Sequence, residues 1–85
     1  MNTPADPQLE YLRVPPHSVE AEQAVLGGLL LDNAAWDRIA DVLIEDDFYR
    51  HDHQLIWHHI ARLIGLARPA DVITVNESLH SAGKS

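Results

Sequence analysis

Six histidines in 85 residues are the first candidates for chemistry, because imidazole is the commonest metal ligand and titrates nearest neutral pH. His51 and His53 lie two apart, and His58 and His59 are adjacent. Neither spacing sets two imidazoles on one helical face, as an i, i+4 zinc pair requires. A meeting of His51 or His53 with His58 across a turn would bring only two ligands. The chain has no cysteine to complete a structural site of three or four. Surface and half-buried imidazoles are the expectation, with a surface that grows less acidic as pH falls.

The carboxylates lead to the same place. Glu45-Asp46-Asp47 is an acidic run, but it lacks the interspersed glycine and downstream ligands of a calcium loop and reads as a solvated turn. Glu20 and Glu22 fall where a helix begins and suit the positive end of its dipole. No base or second carboxylate pair stands beside them, so both read as helix-start electrostatics. Gly27-Gly28 follows no strand and precedes no lysine, which excludes a phosphate loop. Gly83-Lys84-Ser85 imitates the end of such a loop, yet the first glycine of that motif would fall at Ser78 and no chain remains for the helix that must follow. There is no nucleophile elbow and no stripe of alternating basic and aromatic residues for single-stranded nucleic acid. No catalytic, cofactor-binding or metal residue is assigned.

The elements that would position these groups are helices. The chain is 46% apolar and 22% charged, which suits one small globular domain whose core gives only about 3–5 kcal/mol. With 13 Asp and Glu against 6 Lys and Arg, the net charge is −7, which phosphates would repel. Direct nucleic-acid binding by this segment is not expected on that ground, and solubility or a basic protein partner fits better. No apolar run spans a membrane and no signal-peptide layout is present, so a soluble, cytoplasmic chain is expected. Four of the five prolines lie within residues 1–16, read as a flexible N-terminal arm, with residues 17–85 forming the folded part.

Ser18 is the expected N-cap of a first helix, with Val19, Gln23, Leu26 and Leu30 on its inner stripe and Val25 and Leu29 beside it. Each glycine of Gly27-Gly28 costs about 1 kcal/mol inside a helix, so a close neighbouring helix or a local bend is expected there. Asp32-Asn33 should stop this helix and cap a second running to about Ile44, its apolar face made by Ala35, Trp36, Ile39, Ala40, Val42 and Leu43. Phe48 and Tyr49 read as two aromatic anchors. A third helix from about Asp52 to Leu66 presents Leu55, Ile56, His59, Ile60, Leu63 and Ile64, with Trp57 at the edge, and Gly65, Arg68 and Pro69 punctuate its end. Asp71 caps a fourth helix with Val72, Val75 and Leu79 inward. Val72-Ile73-Thr74-Val75 alone would read as a strand, but a lone strand has no partner. The fold class is all-α, a small bundle of about four helices.

Three stretches add a resemblance. Residues 14–33, from Val14-Pro15-Pro16-His17-Ser18 to Leu31-Asp32-Asn33, resemble the opening of the N-terminal domain of bacterial replicative DNA helicases of the DnaB type. Asp46-Asp47-Phe48-Tyr49-Arg50 with His53 and Ile56-Trp57, then Pro69-Ala70-Asp71-Val72-Ile73-Thr74-Val75 with Glu77 to Leu79, resemble its next segments in order and spacing. The resemblance implies a homohexameric ring that unwinds DNA at the replication fork, in the bacterial nucleoid, using ATP. It implies that the N-terminal domain forms the ring's collar and meets primase and helicase loader. ATP, magnesium and the DNA-translocating machinery belong to a separate C-terminal RecA-like domain, so DNA is met only through the full-length ring. Residues 17–85 would be the first part of the collar, enzymatically inactive alone, with apolar surface left where the later collar helices pack. The alternative is a freestanding helical adaptor of the replication machinery without ATPase activity.

Overall fold

The structure, a computed structural model, describes residues 18–83, and the arm expected over residues 1–16 lies outside them. Four α-helices and two short 3₁₀ turns make up the regular structure, with no strand among the described residues. The all-α expectation holds. Helix α1 (Val19–Leu31) starts at Ser18, whose backbone is extended and whose Oγ accepts the Ala21 N–H at 3.1 Å. It stops at Asp32, where the chain turns extended (φ −144°, ψ 90°). The Asp32 carboxylate then accepts the Ala34 N–H at 3.1 Å and opens the 3₁₀ turn Asn33–Ala35. One residue ends one element and caps the next, as its side chain predicts.

The inner face of α1 is rotated from the expected stripe. Ala21, Glu22, Leu26 and Leu29 are buried, with Val25 and Leu30 partly so, while Val19 and Gln23 are exposed. Apolar residues run almost all round this helix, so periodicity alone selects a face weakly. Gly27 and Gly28 also depart from expectation. A β-carbon built on either meets nothing within 4 Å, so no neighbouring helix presses there among the described residues. Gly28→Ala is therefore expected to stabilise the chain by about 1 kcal/mol through helix propensity. Thermal melting checks this, and a lowered midpoint would reveal a hidden close contact.

Helix α2 is only Trp36–Ala40 and does not reach Ile44. The Asp47 carboxylate accepts the Ile44 N–H at 2.8 Å, which removes a donor that continued helix would need. Ile44 turns extended (φ −126°, ψ 170°) and lies outside, while Leu43 is buried. The chain then passes through the 3₁₀ turn Glu45–Asp47 to Phe48, which is 1% exposed. Tyr49, expected as a second anchor, is instead 77% exposed.

Helix α3 (His51–Gly65) is the central strut, packing on both α1 and α4. It buries His53, Trp57, His59, Ile60 and Leu63. Trp57 sits at the centre of the inner face and Leu55 outside it, the reverse of the expected order. Trp57 lies between Trp36 and Phe48, at centroid distances of 4.6 and 5.2 Å. The end of α3 is closed by Ala67 N–H to Ile64 C=O and Arg68 N–H to Leu63 C=O, both 2.9 Å. That is the paired closure of a left-handed helix stop, yet the left-handed residue is Ala67 (φ 59°), not a glycine. The β-carbon there costs about 1–2 kcal/mol, of which glycine's greater unfolded freedom returns about 0.4–1. Ala67→Gly should raise stability by about 0.5–1 kcal/mol, read as a Tm gain of about 2–8 °C.

Helix α4 (Val72–Gly83) is a helix and not a strand. Its start is capped reciprocally: Asp71 Oδ1 accepts the Thr74 N–H at 2.9 Å and Thr74 Oγ1 accepts the Asp71 N–H at 2.8 Å. Val75 and Ser78 face inward with Leu79 partly buried, whereas Val72 points to solvent. The core is one cluster built round Leu26, Leu29, Leu43, Phe48, Trp57, Ile60, Leu63, Ala70 and Val75.

Candidate functional site

The most organised polar site is built on Glu22, one turn into α1 and fully buried. Its Oε2 accepts the Tyr49 N–H at 2.6 Å, and its Oε1 accepts the Arg50 N–H at 3.3 Å and meets His53 Nδ1 at 2.6 Å. These partners surround the start of α3, whose N-cap residue Arg50 provides no side-chain cap of its own. A helix start presents unpaired N–H groups and a positive dipole end. Glu22 thus caps α3 from another helix, and it does more than favour the start of its own. Burial alone would raise its carboxyl pKa, but the bonds from Tyr49, His53 and Arg50 outweigh it and hold the pKa below the usual value of 4.5.

Because the folded pKa is depressed, Glu22 contributes stability above the unfolded carboxyl value, and that contribution is lost as pH falls through the folded one. The chain should lose urea resistance as pH falls below the ordinary carboxyl value, and Glu22→Gln should show a smaller loss. Equal losses would show that other carboxylates govern acid unfolding. Beside this site, the Arg50 guanidinium grips Asp52 at 2.9 and 2.7 Å. That pairing brings the Asp52 carboxyl down to about 2, but both side chains are exposed and the pair adds little stability.

The other candidates are dispersed. His58 meets Glu45 at 3.1 Å on the surface, and its ring lies edge-on to that of His59 at 5.4 Å. His59 is buried against Ser78, with Nδ1 and Oγ 2.6 Å apart. Neither His51 nor His53 meets His58 in the contacts described. Glu45, Asp46 and Asp47 do not converge; Glu45 turns to His58 and Asp47 to the Ile44 N–H. No group of three His, Asp or Glu residues is placed to hold a metal ion among the described residues. Lys84 and Ser85 lie outside them.

Besides the His59–Ser78 bond, two residues make long-range polar contacts that were not foreseen. Glu22 is one, and the signal for it is positional: stepping back four from Leu26 or seven from Leu29 lands on this carboxylate. Asn33 is the other. Its Nδ2 donates to Leu29 C=O and Ala70 C=O, both at 2.8 Å, and its Oδ1 accepts the Ala70 N–H at 2.9 Å. It ties the end of α1 to the α3–α4 linker, where its sequence position reads as a helix stop and the cap of the next helix. No buried side-chain nitrogen or oxygen is left without a partner among the described residues. Such complete pairing specifies the way helices dock. No described helix is long and apolar enough to cross a membrane.

A model of the DnaB-like helicase N-terminal domain matches residues 14–85. The replicative DNA helicase DnaB of Buchnera aphidicola subsp. Schizaphis graminum is 48% identical over 77 residues, covering 91% of this chain and 17% of that helicase. Its counterpart in Haemophilus influenzae is 46% identical over 81 residues, 95% of this chain and 17% of the relative. For Geobacillus stearothermophilus the values are 48% over 70 residues, 82% and 15%. The chain spans about a sixth of the length of these relatives. The match over residues 14–85 takes in all four helices, the Glu22 cap and the Asn33 tie, and on it the chain belongs to the family of DnaB-like helicase N-terminal domains.

Proposed function

We propose that this chain serves as the N-terminal portion of an ATP-dependent replicative DNA helicase, with a structural role in the collar of a homohexameric ring and in contacts with primase and helicase loader. The observation that carries this is the family match across residues 14–85, with relatives named as replicative DNA helicases. On this reading ATP and magnesium are bound by a C-terminal RecA-like domain, DNA is unwound only by the full ring, and the chain acts at the replication fork in the bacterial cytoplasm. Two properties support a protein-facing role. A net charge of −7 opposes a phosphate backbone, and the polar side chains with defined partners fasten helices to one another. The arm over residues 1–16 and the folded part over 17–85 are the proposed divisions of this portion.

The test is the complete coding sequence and its product. ATP-dependent unwinding of a forked duplex by a product carrying a downstream Walker-type loop is expected. A coding sequence without that loop, giving a folded and monodisperse product that binds primase or loader, would replace this reading with that of a freestanding adaptor.

A further inference from the structure

A polar junction between α3 and α4 is left unused by the collar reading. His59 and Ser78 are 6% and 9% exposed and face each other across it, with Nδ1 and Oγ 2.6 Å apart. Arg62 approaches the same hydroxyl with an Nη1 at 3.4 Å. From α3, then, His58 and Arg62 surround His59; from the acidic turn comes Glu45, bonded to His58; from α4 comes the uncharged Ser78 hydroxyl. The apolar fastening of α4 is slight. Val75 is its one fully buried apolar side chain, Leu79 is partly buried, and Val72 and Ile73 are 69% and 70% exposed. The His59–Ser78 bond therefore carries an unusual share of the docking of this helix.

We propose that this junction is a pH-sensitive latch, in which neutral His59 holds α4 against α3 through Ser78 and protonation of the imidazole releases α4. Protonation sets a second cation on the hydroxyl that Arg62 already approaches and buries a charge without a counter-ion in contact. The His59 pKa is lowered from the ordinary histidine value, first by burial and then by His58 and Arg62, against an opposing pull from Glu45. A base with a depressed pKa takes up its proton more readily when exposed. Acid therefore favours the state in which α4 has swung away, and the docked state is fully favoured only above the ordinary histidine pKa.

The test is amide exchange of this chain by NMR near pH 7.5 and pH 5.5, corrected for intrinsic rates, beside titration of the His59 ring. Amides of Val75 to Leu79 are expected to lose protection roughly threefold or more relative to Ile60 and Leu63 of α3, with a midpoint that follows the His59 ring. His59→Gln keeps a hydrogen-bonding side chain that does not titrate, and should abolish the α4-specific loss. Parallel loss in α3 and α4, or an α4-specific loss that persists in H59Q, overturns the latch. If H59Q does not fold, His58→Gln decides, because it removes an exposed cationic neighbour. A smaller α4-specific loss supports the latch, and an unchanged or larger one overturns it.

Discussion

Glu22→Ala is expected to unfold the domain at 25 °C. The substitution leaves the Tyr49 and Arg50 N–H groups and the His53 ring without their acceptor, around a side chain that is itself fully buried. Leaving a buried donor without its acceptor costs about 1–3 kcal/mol, so three such losses match or exceed the roughly 3–5 kcal/mol that a domain of this size has in total. The loss also falls at a sensitive point, because Glu22 holds N–H groups at the start of the central helix, where the N-cap residue Arg50 makes no side-chain cap bond and the local Asp52 accepts only the His53 N–H. Glu22→Gln keeps the shape and an acceptor oxygen but turns an NH₂ group toward donors, so about 1–3 kcal/mol should be lost. Circular dichroism and urea unfolding should rank the proteins wild type, Gln, Ala in falling stability. An Ala variant that melts within about 2 °C of wild type would show that water or a neighbouring group replaces the carboxylate.

The contrast between Glu20 and Glu22 shows what a sequence can reveal. Both are acidic residues in the first turn of α1, and the local rule describes Glu20 well. It is exposed, accepts the Ser18 hydroxyl at 3.0 Å and has a lowered pKa from its own N–H and that hydroxyl. Glu22 obeys the same local rule and is nevertheless committed to partners 27, 28 and 31 residues away. Caps whose partners lie within three residues were legible: Ser18, Asp32 and Asp71 all act as expected. Asn33 and His59, with partners 37 and 19 residues off, were not. The family was legible for a different reason, since the run from Val14 to Asn33 carries it without any need to know which face is buried.

The helical faces failed where the apolar pattern was broad. On α1 the buried polar group helped decide the face, and on α2 the Asp47 side chain ended the helix before its apolar run was exhausted. Leu31, Tyr49, Leu66, Val72 and Ile73 are exposed, and of these Tyr49 and Val72 were expected inside. They do not coincide with the glycine pair, whose neighbourhood is open. The cost of those glycines therefore has no compensation among the described contacts.

On α3 the two possible faces make opposite predictions, and this is where the packing can be tested most sharply. Trp57→Ala is expected to cost about 3–5 kcal/mol, because the indole is 5% exposed and lies between the rings of Trp36 and Phe48. The indole belongs to one core cluster with Leu29, Leu43 and Ile60, which are themselves almost fully enclosed. Leu55→Ala, at a position 39% exposed, should stay within about 0.5–1 kcal/mol of wild type. If Leu55 were the inner residue and Trp57 the edge, the order would reverse. Urea unfolding followed by circular dichroism at 222 nm measures both variants without relying on the deleted indole. Trp57→Phe should fall between them, retaining an aromatic against Phe48 but not the full volume. Its remaining tryptophan, the half-buried Trp36, then reports whether the ring cluster still closes: emission typical of a half-buried indole is expected, and a red shift at full helicity would mean that Trp57 holds Trp36 in place.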